Sequence, residues 1–390
     1  MYRLSLIMSV LILLGIFLAW VWLQEPLPAT APPAIDLQDI LATAGAQDFD
    51  RATVARPFQF PRDHGPHLSF KNEWWYLTGN LVSADGREFG YQFTLFRDGL
   101  VKGTVQRPSD WATGQTYMAH FALADISAGR FFSFERFSRA AMNLAGAEIP
   151  PGRFWLEDWV LTIDGHSQRP TLTLATREEN IALSLTLTAE KPPVLHGDHG
   201  LSRKGDQPGQ ATYYYSYTRL KTTGQLVLNK ETFAVKGNSW FDREWGTDVM
   251  SRHISGWDWF SLQFDDGHEF MYYQLRTQDG APDPCSRGSW IEVDGSCHGV
   301  GADEIQIEIL EEWQDEAGNR YPGAWRMRWP HESCELVIQP KLKDQLLRTS
   351  IPYWEGAVRF AGTRKGVRVT GQGYVELTGY TKTVTAAPEW

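Results

Sequence analysis

A chain of 390 residues is longer than one hydrophobic core usually organises, so two domains are the default expectation once the N-terminal segment is set aside. A composition of 42% apolar and 22% charged residues is that of a packed globular protein rather than a disordered one. Its 17 tryptophans offer flat, largely apolar surface suited to barrel interiors, domain seams and greasy or sugar-like ligands. A formal charge of −10, with no cluster of Lys and Arg, excludes nucleic acid as a partner.

In chain order, Arg3 precedes an uninterrupted apolar run from Leu4 to Leu23, long enough at the helical rise per residue to cross a bilayer core. Residues 1–24 are therefore expected to be a signal peptide or signal anchor, and residues 25–50 a Pro/Ala-rich linker. The small-x-small site from Ala29 to Ala31 is followed by Pro32, so cleavage and retention both stand. In either case the body is expected to be periplasmic or otherwise extracytoplasmic. If retained, residues 4–23 would tether it to the inner membrane.

From Phe58 onward the sequence reads as short strands between turn signals, alternating clearly in Thr171 to Ala175 and Ile181 to Thr188, with no long amphipathic helix. Asp-Gly pairs begin at residues 85, 98, 164, 266, 279 and 294, and Asp-Gly between alternating segments signals a tight hairpin. The fold class predicted is all-β, an antiparallel meander closed as a sandwich or barrel. An internal repeat divides it. Asp85, Gly86, Glu88, Phe89 and Tyr91 match Asp266, Gly267, Glu269, Phe270 and Tyr272, each set preceded by paired aromatics and closed by Arg97 or Arg276. A hairpin recurring at the start of each half implies duplication, with domains over 51–247 and 248–390. Cys285, Cys297 and Cys334 are too few for a disulfide framework. Pairing about Asp294-Gly295 would set Glu292 opposite Cys297, which argues against a Cys285–Cys297 bridge.

Several positions have the residue types that chemistry requires. His64 and His67, with Asp63 and Glu73, could form an acid/base pair or metal site; equally, they could cap a turn and tie it to a strand. His196-Gly-Asp198-His199 has ligand-like spacing but reads as a surface loop, because Pro and Gly surround it. On a strand, Asp242 and Glu244 would share one face and Arg243 the other, so the two carboxylates would either enter a pocket or join an arginine network at a domain seam. Asp258 between Trp257 and Trp259 invites the same reading. Tyr272, Tyr91 and Trp245 could offer π faces to a cation or an apolar chain. There is no Gly-x-Ser-x-Gly elbow, no phosphate-binding Gly-rich loop and no Cys-based metal pair, so neither cofactor nor metal is expected.

The run Phe60-Pro61-Arg62-Asp63-His64-Gly65-Pro66-His67, followed by Glu73-Trp74-Trp75-Tyr76, resembles the AttH and carotenoid 1,2-hydratase (CrtC-like) family of "predicted secreted hydrolases". Ala119-His120-Phe121-Ala122, Asp242-Arg243-Glu244-Trp245-Gly246, Tyr353-Trp354-Glu355-Gly356 and Gly373-Tyr374-Val375-Glu376-Leu377 extend the likeness along the chain. The resemblance implies two tandem lipocalin-like, calycin-type antiparallel β-barrels. It also implies a protein that binds a hydrophobic or lipid-like small molecule in an aromatic-lined barrel, as an accessory to an ABC-type transporter or in lipid metabolism. The alternative it implies is a hydratase or hydrolase of a terpenoid or lipid, with Asp242, Glu244 or Asp258 as acid and Tyr272 steadying a cation. His64, His67, Glu73, Trp74, Tyr76, Tyr91, Trp245 and Trp257 are the expected ligand contacts. Members that hydrate carotenoids carry Asp-His-Asn-Trp-Gly at the second motif and an Asp after paired tyrosines. This chain has Arg243 and Glu244 there, and Gln274 after Tyr272 and Tyr273.

Overall fold

Alternating strands and Asp-Gly turns build hairpin after hairpin, but with one more loop residue than a two-residue turn. In Ser83–Arg87, Phe264–His268, Thr277–Ala281 and Glu292–Ser296 the glycine N–H donates to the carbonyl three residues earlier. Each glycine has a φ between 82° and 95°, left-handed backbone where a side chain would be strained. Three-residue loops ending in a left-handed glycine twist with the strands they join. The extra residue shifts the register, so Cys297 lies opposite Ile291 rather than Glu292; all three cysteines are free. Asp98-Gly99 ends a strand instead of turning it.

The structure, a computed structural model, describes residues 46–104, 108–150, 152–164, 168–251 and 253–381. The predicted N-terminal segment 1–24, the linker up to residue 45 and the pair partner Gly165 lie outside the described residues. Among the described residues no helix is long and apolar enough to cross a membrane.

The first half contains β1 (Asn72–Ser83), β2 (Glu88–Gly99), β3 (Gln115–Asp125), β4 (Arg130–Arg139), β5 (Ala145–Glu148), β6 (Arg153–Leu156) and β7 (Trp159–Ile163). It continues with β8 (Thr171–Glu178), β9 (Ile181–Ala189), β10 (Val194–Leu195), β11 (Leu201–Arg203), β12 (Ala211–Leu228) and β13 (Glu231–Gly246). The second half contains β14 (Ile254–Phe264), β15 (Glu269–Thr277), β16 (Arg287–Ile291), β17 (Cys297–Gly301) and β18 (Gln306–Gln314). It ends with β19 (Arg320–Trp329), β20 (Cys334–Pro340), β21 (Leu346–Leu347), β22 (Tyr353–Arg364) and β23 (Val367–Leu377). The first sheet runs β4-β3-β2-β1-β13-β12-β9-β8-β7-β6-β5, a nearly closed barrel, with β10 and β11 both paired to β12. The second runs β17-β16-β15-β14-β23-β22-β20-β19-β18, a half-barrel, with β21 on β22. In both, the opening strand pairs with its hairpin partner on one side and the last strand of its half on the other. The repeated sequence thus has a repeated place.

Both concave faces are packed with apolar rings, Trp75, Phe93, Phe121 and Phe241 in the first sheet and Phe260, Trp290, Trp325 and Trp354 in the second. Side chains alternate along a strand, so the neighbours of these residues face outward. The outward faces of β1, β12 and β13 meet those of β14, β15, β22 and β23 in a separate cluster that includes Tyr76, Tyr214, Trp240, Trp259 and Tyr374. These strands are buried on both sides. Both sheets belong to one compact unit.

Candidate functional site

The opening that sequence placed inside a barrel lies instead between the two sheets. It holds about 810 Å³ of unfilled space, counting its open mouth. From the first sheet come Trp74 and Tyr76 of β1, Thr94 and Phe96 of β2, and Asp242 and Glu244 of β13. From the second come Trp257 and Trp259 of β14, Tyr273 of β15, Tyr353 of β22 and Glu376 of β23. The parity of the strands selects these residues: Trp75, Phe241 and Val375, one step away, fill the concave faces.

The seam gathers four carboxyl groups, while Lys204 is the one cation among the described lining residues. Asp242 accepts from Trp240 Nε1 at 2.6 Å, from the Tyr214 hydroxyl at 2.8 Å and from Ser216 Oγ. Burial nevertheless outweighs these donors and, with the nearby Glu244, pushes the acid up to about 7. Behind it, His196 Nε2 lies 2.6 Å from Ser216 Oγ and Nδ1 lies 2.9 Å from Ser289 Oγ. Because Ser216 donates to Asp242, His196 donates through Nε2 and accepts at Nδ1. His196 is 1% exposed and its pKa is lowered to about 3, by burial first and then by Lys204. The expected surface loop is, at His196, an internal support of Asp242.

Glu244 accepts from Thr212 Oγ1 and faces Lys204 Nζ at 3.2 Å. The ammonium sits 3.7 Å from the centroid of the Tyr273 ring. Burial opposes the charge on Lys204, but Glu244 and its neighbours keep the pKa raised. Glu355 and Glu376 face each other from β22 and β23. Tyr76 donates to Glu355 Oε1 at 2.7 Å, and Oε2 has no partner among the described residues. Burial, followed by the charges of neighbouring acids, drives both upward, Glu376 to about 8 in spite of a hydrogen bond with Trp257. Glu376 is half-buried, and it is this carboxyl that lines the open space.

Of the residues sequence singled out, Trp74, Tyr76, Asp242, Glu244 and Trp257 come together here. The others do not. Glu73 is clamped between Arg97 and Arg243, which hold its carboxyl well below the usual range against its burial. His67 stacks on Trp245, with centroids 3.8 Å apart, and its Nε2 lies 3.2 Å from Asp63. Asp63 also accepts from Arg56 and from the Gln59 N–H. His64 meets the Tyr215 hydroxyl at 2.6 Å. Ionised, paired carboxylates make this a structural lock on the first sheet rather than an acid/base or ligand site. Tyr91 is likewise internal, 2.7 Å from Ser239 Oγ.

Asp258 points away from its flanking tryptophans, accepting from Arg276 Nε at 3.0 Å and from the Tyr380 hydroxyl at 3.0 Å. Burial outweighs that pairing and raises its pKa, but it does not line the cavity. Tyr272 stacks with Phe270 on the concave face of the second sheet, and its neighbour Tyr273 takes the cavity position instead. Sequence reasoning did not single out Glu355, Glu376, Tyr353 or Lys204. For the two glutamates the signal was there: in Tyr-Trp-Glu-Gly and Tyr-Val-Glu-Leu, an apolar residue committed to a core forces the adjacent glutamate to the opposite face.

Residues 51–380 match the family model described as AttH-like. Kievitone hydratase of Fusarium solani subsp. phaseoli is 25% identical over 232 residues, 56% of this chain and 61% of that protein, so the match spans less than two thirds of that relative. A crystal structure of a protein assigned as AttH from Nitrosomonas europaea shares 32% identity at a TM-score of 0.75, covering 85% of this chain and 100% of that one. Kievitone hydratase from Nectria haematococca shares the fold, with a TM-score of 0.65 at 14% identity over 86% of this chain and 97% of that one. Matched by its model from Arg51 to Tyr380, the chain belongs to the AttH-like family.

Proposed function

We propose that the seam cavity is the active site of a hydratase-type enzyme that adds water across a carbon–carbon double bond of a lipophilic, prenyl- or terpenoid-like substrate. Glu376 carries the reading: a carboxyl group whose pKa is pushed up to about 8, facing an aromatic cavity. Protonating an alkene carbon requires a neutral acid held against the double bond at neutral pH. The cation formed needs π faces, and Trp74, Trp257 and Trp259 line the same space. The hydratase among its relatives supports this class of chemistry. An apolar run at residues 4–23 would hold the enzyme beside the membrane, where such substrates partition.

The same cavity would suit a non-catalytic carrier of a lipophile, including one serving a transporter. Glu376, an acid held protonated among aromatic rings, favours catalysis, since simple binding of a lipophile gains nothing from a buried carboxyl group. The test is incubation of the wild type and Glu376→Gln with acyclic terpenoids and unsaturated lipids in oxygen-18 water. Labelled alcohol from the wild type, reduced about 10²- to 10⁴-fold in the variant, is expected. Equal binding by both proteins, with no label incorporated by either, would establish the carrier.

A further inference from the structure

Across the cavity from Lys204 and Glu244 the wall carries a second set of proton-bearing groups, which the acid chemistry above does not use. The Tyr353 hydroxyl lies 2.8 Å from His120 Nδ1, and His120 Nε2 lies 3.0 Å from Glu135 Oε1. His120 on β3 and Glu135 on β4 are direct cross-strand partners, whereas Tyr353 comes from β22 of the other sheet, so the row crosses the seam. A carboxylate on Nε2 makes that nitrogen the donor, so Nδ1 accepts the phenolic hydrogen of Tyr353. The phenol oxygen also receives Gln92 Nε2 at 3.3 Å. Glu135 is fixed by the Ser350 N–H at 3.1 Å and the Ser350 hydroxyl at 2.7 Å. One end of the row lines the cavity. His120 in the middle is wholly buried, and Glu135 at the far end keeps 16% of its side chain exposed.

We propose that Tyr353, His120 and Glu135 form a proton wire that carries the proton lost by the attacking water out of the cavity to solvent. The proposal rests on the hydratase reading and completes its base side. As the water oxygen bonds to the cationic carbon, one water O–H bond breaks towards the Tyr353 oxygen while the phenolic proton passes to His120 Nδ1. The resulting imidazolium is held by Glu135 and returns its proton to solvent there. Glu376, which gave one proton to the other alkene carbon, takes one back at the cavity mouth. The sum is alkene plus water to alcohol, with no change in oxidation state of any protein group. Burial and the charges of Glu355, Glu376 and Glu135 hold the phenol well above its usual pKa, so Tyr353 hands the proton on rather than resting as phenolate. Tyr353 is the catalytic residue, touching the reacting water; His120 and Glu135 act through it and are positioning residues.

The test has two arms on the full chain. Nitrogen-15 NMR of histidine-labelled protein, with His120→Gln to assign the signal, should show the neutral His120 ring carrying its proton on Nε2, towards Glu135. An Nδ1-protonated or permanently charged ring overturns the wire. In oxygen-18 water, His120→Gln and Tyr353→Phe should lower kcat about 100-fold with KM changed less than about threefold. An active wild type with an equally active His120→Gln overturns the wire alone. A wild type that hydrates no alkene overturns the hydratase reading, and the wire with it.

Discussion

Glu355 on β22 and Glu376 on β23 stand directly opposite each other, two carboxyl groups on the seam between the sheets. Because both pKa values are raised in the folded protein, the native state binds more protons than the unfolded chain between about 4.5 and about 8. Stability contributed by their protonated forms is therefore complete at low pH and lost as pH rises through that window. The wild-type melting temperature should fall relative to that of Glu376→Gln by about 5 °C between those limits. Parallel curves for the two proteins would mean that Glu376 titrates as it does in the unfolded chain.

Glu73 poses the opposite electrostatic problem. Replacing it by Gln leaves Arg97 and Arg243, both buried, without their carboxylate, and should cost about 3–5 kcal/mol in urea unfolding. Binding of a lipophilic fluorophore in the seam should be unchanged in the fraction that remains folded. A loss below about 1 kcal/mol would show that backbone carbonyls such as Gly65 O and Phe70 O satisfy the two guanidinium groups by themselves.

Asp242 and Asp258 look alike in sequence, each within a tryptophan-rich strand, and only one faces the cavity. Asp258→Asn should leave kcat within about twofold while costing about 1–3 kcal/mol, because Arg276 and Tyr380 lose a charged acceptor. Asp242→Asn should do the reverse, reducing turnover far more than stability. Equal effects of the two substitutions on turnover would put Asp258 back among the acids.

The fold was legible because period-two alternation, Asp-Gly turns and a duplicated hairpin all point the same way. The site was legible only in part, because its strands are buried on both faces. Trp74 and Trp75 are adjacent and of one residue type, the first half-buried and the second buried, so nothing in their polarity says which faces the barrel and which the seam. Tyr272 and Tyr273 differ by the same single step, and choosing the wrong one inverts the assignment. Glu355 and Glu376 meet Asp242 only through the packing of two sheets, and no local spacing records that. His196 sits in a Pro- and Gly-rich stretch that looks solvated, until the second sheet covers it with Ser289.

A cavity on the outer faces of two already packed sheets would, as the proposed active site, separate residues that choose a ligand from the rings that fill the two concave faces. Exchanging half-buried Trp74 or Met250 for a smaller or larger residue would reshape the seam and leave the rings around Phe121 and Trp325 where they are. In a single barrel that encloses its ligand, every such change is also a change to the folding core. Here new specificities can be tried one lining residue at a time on an unaltered frame.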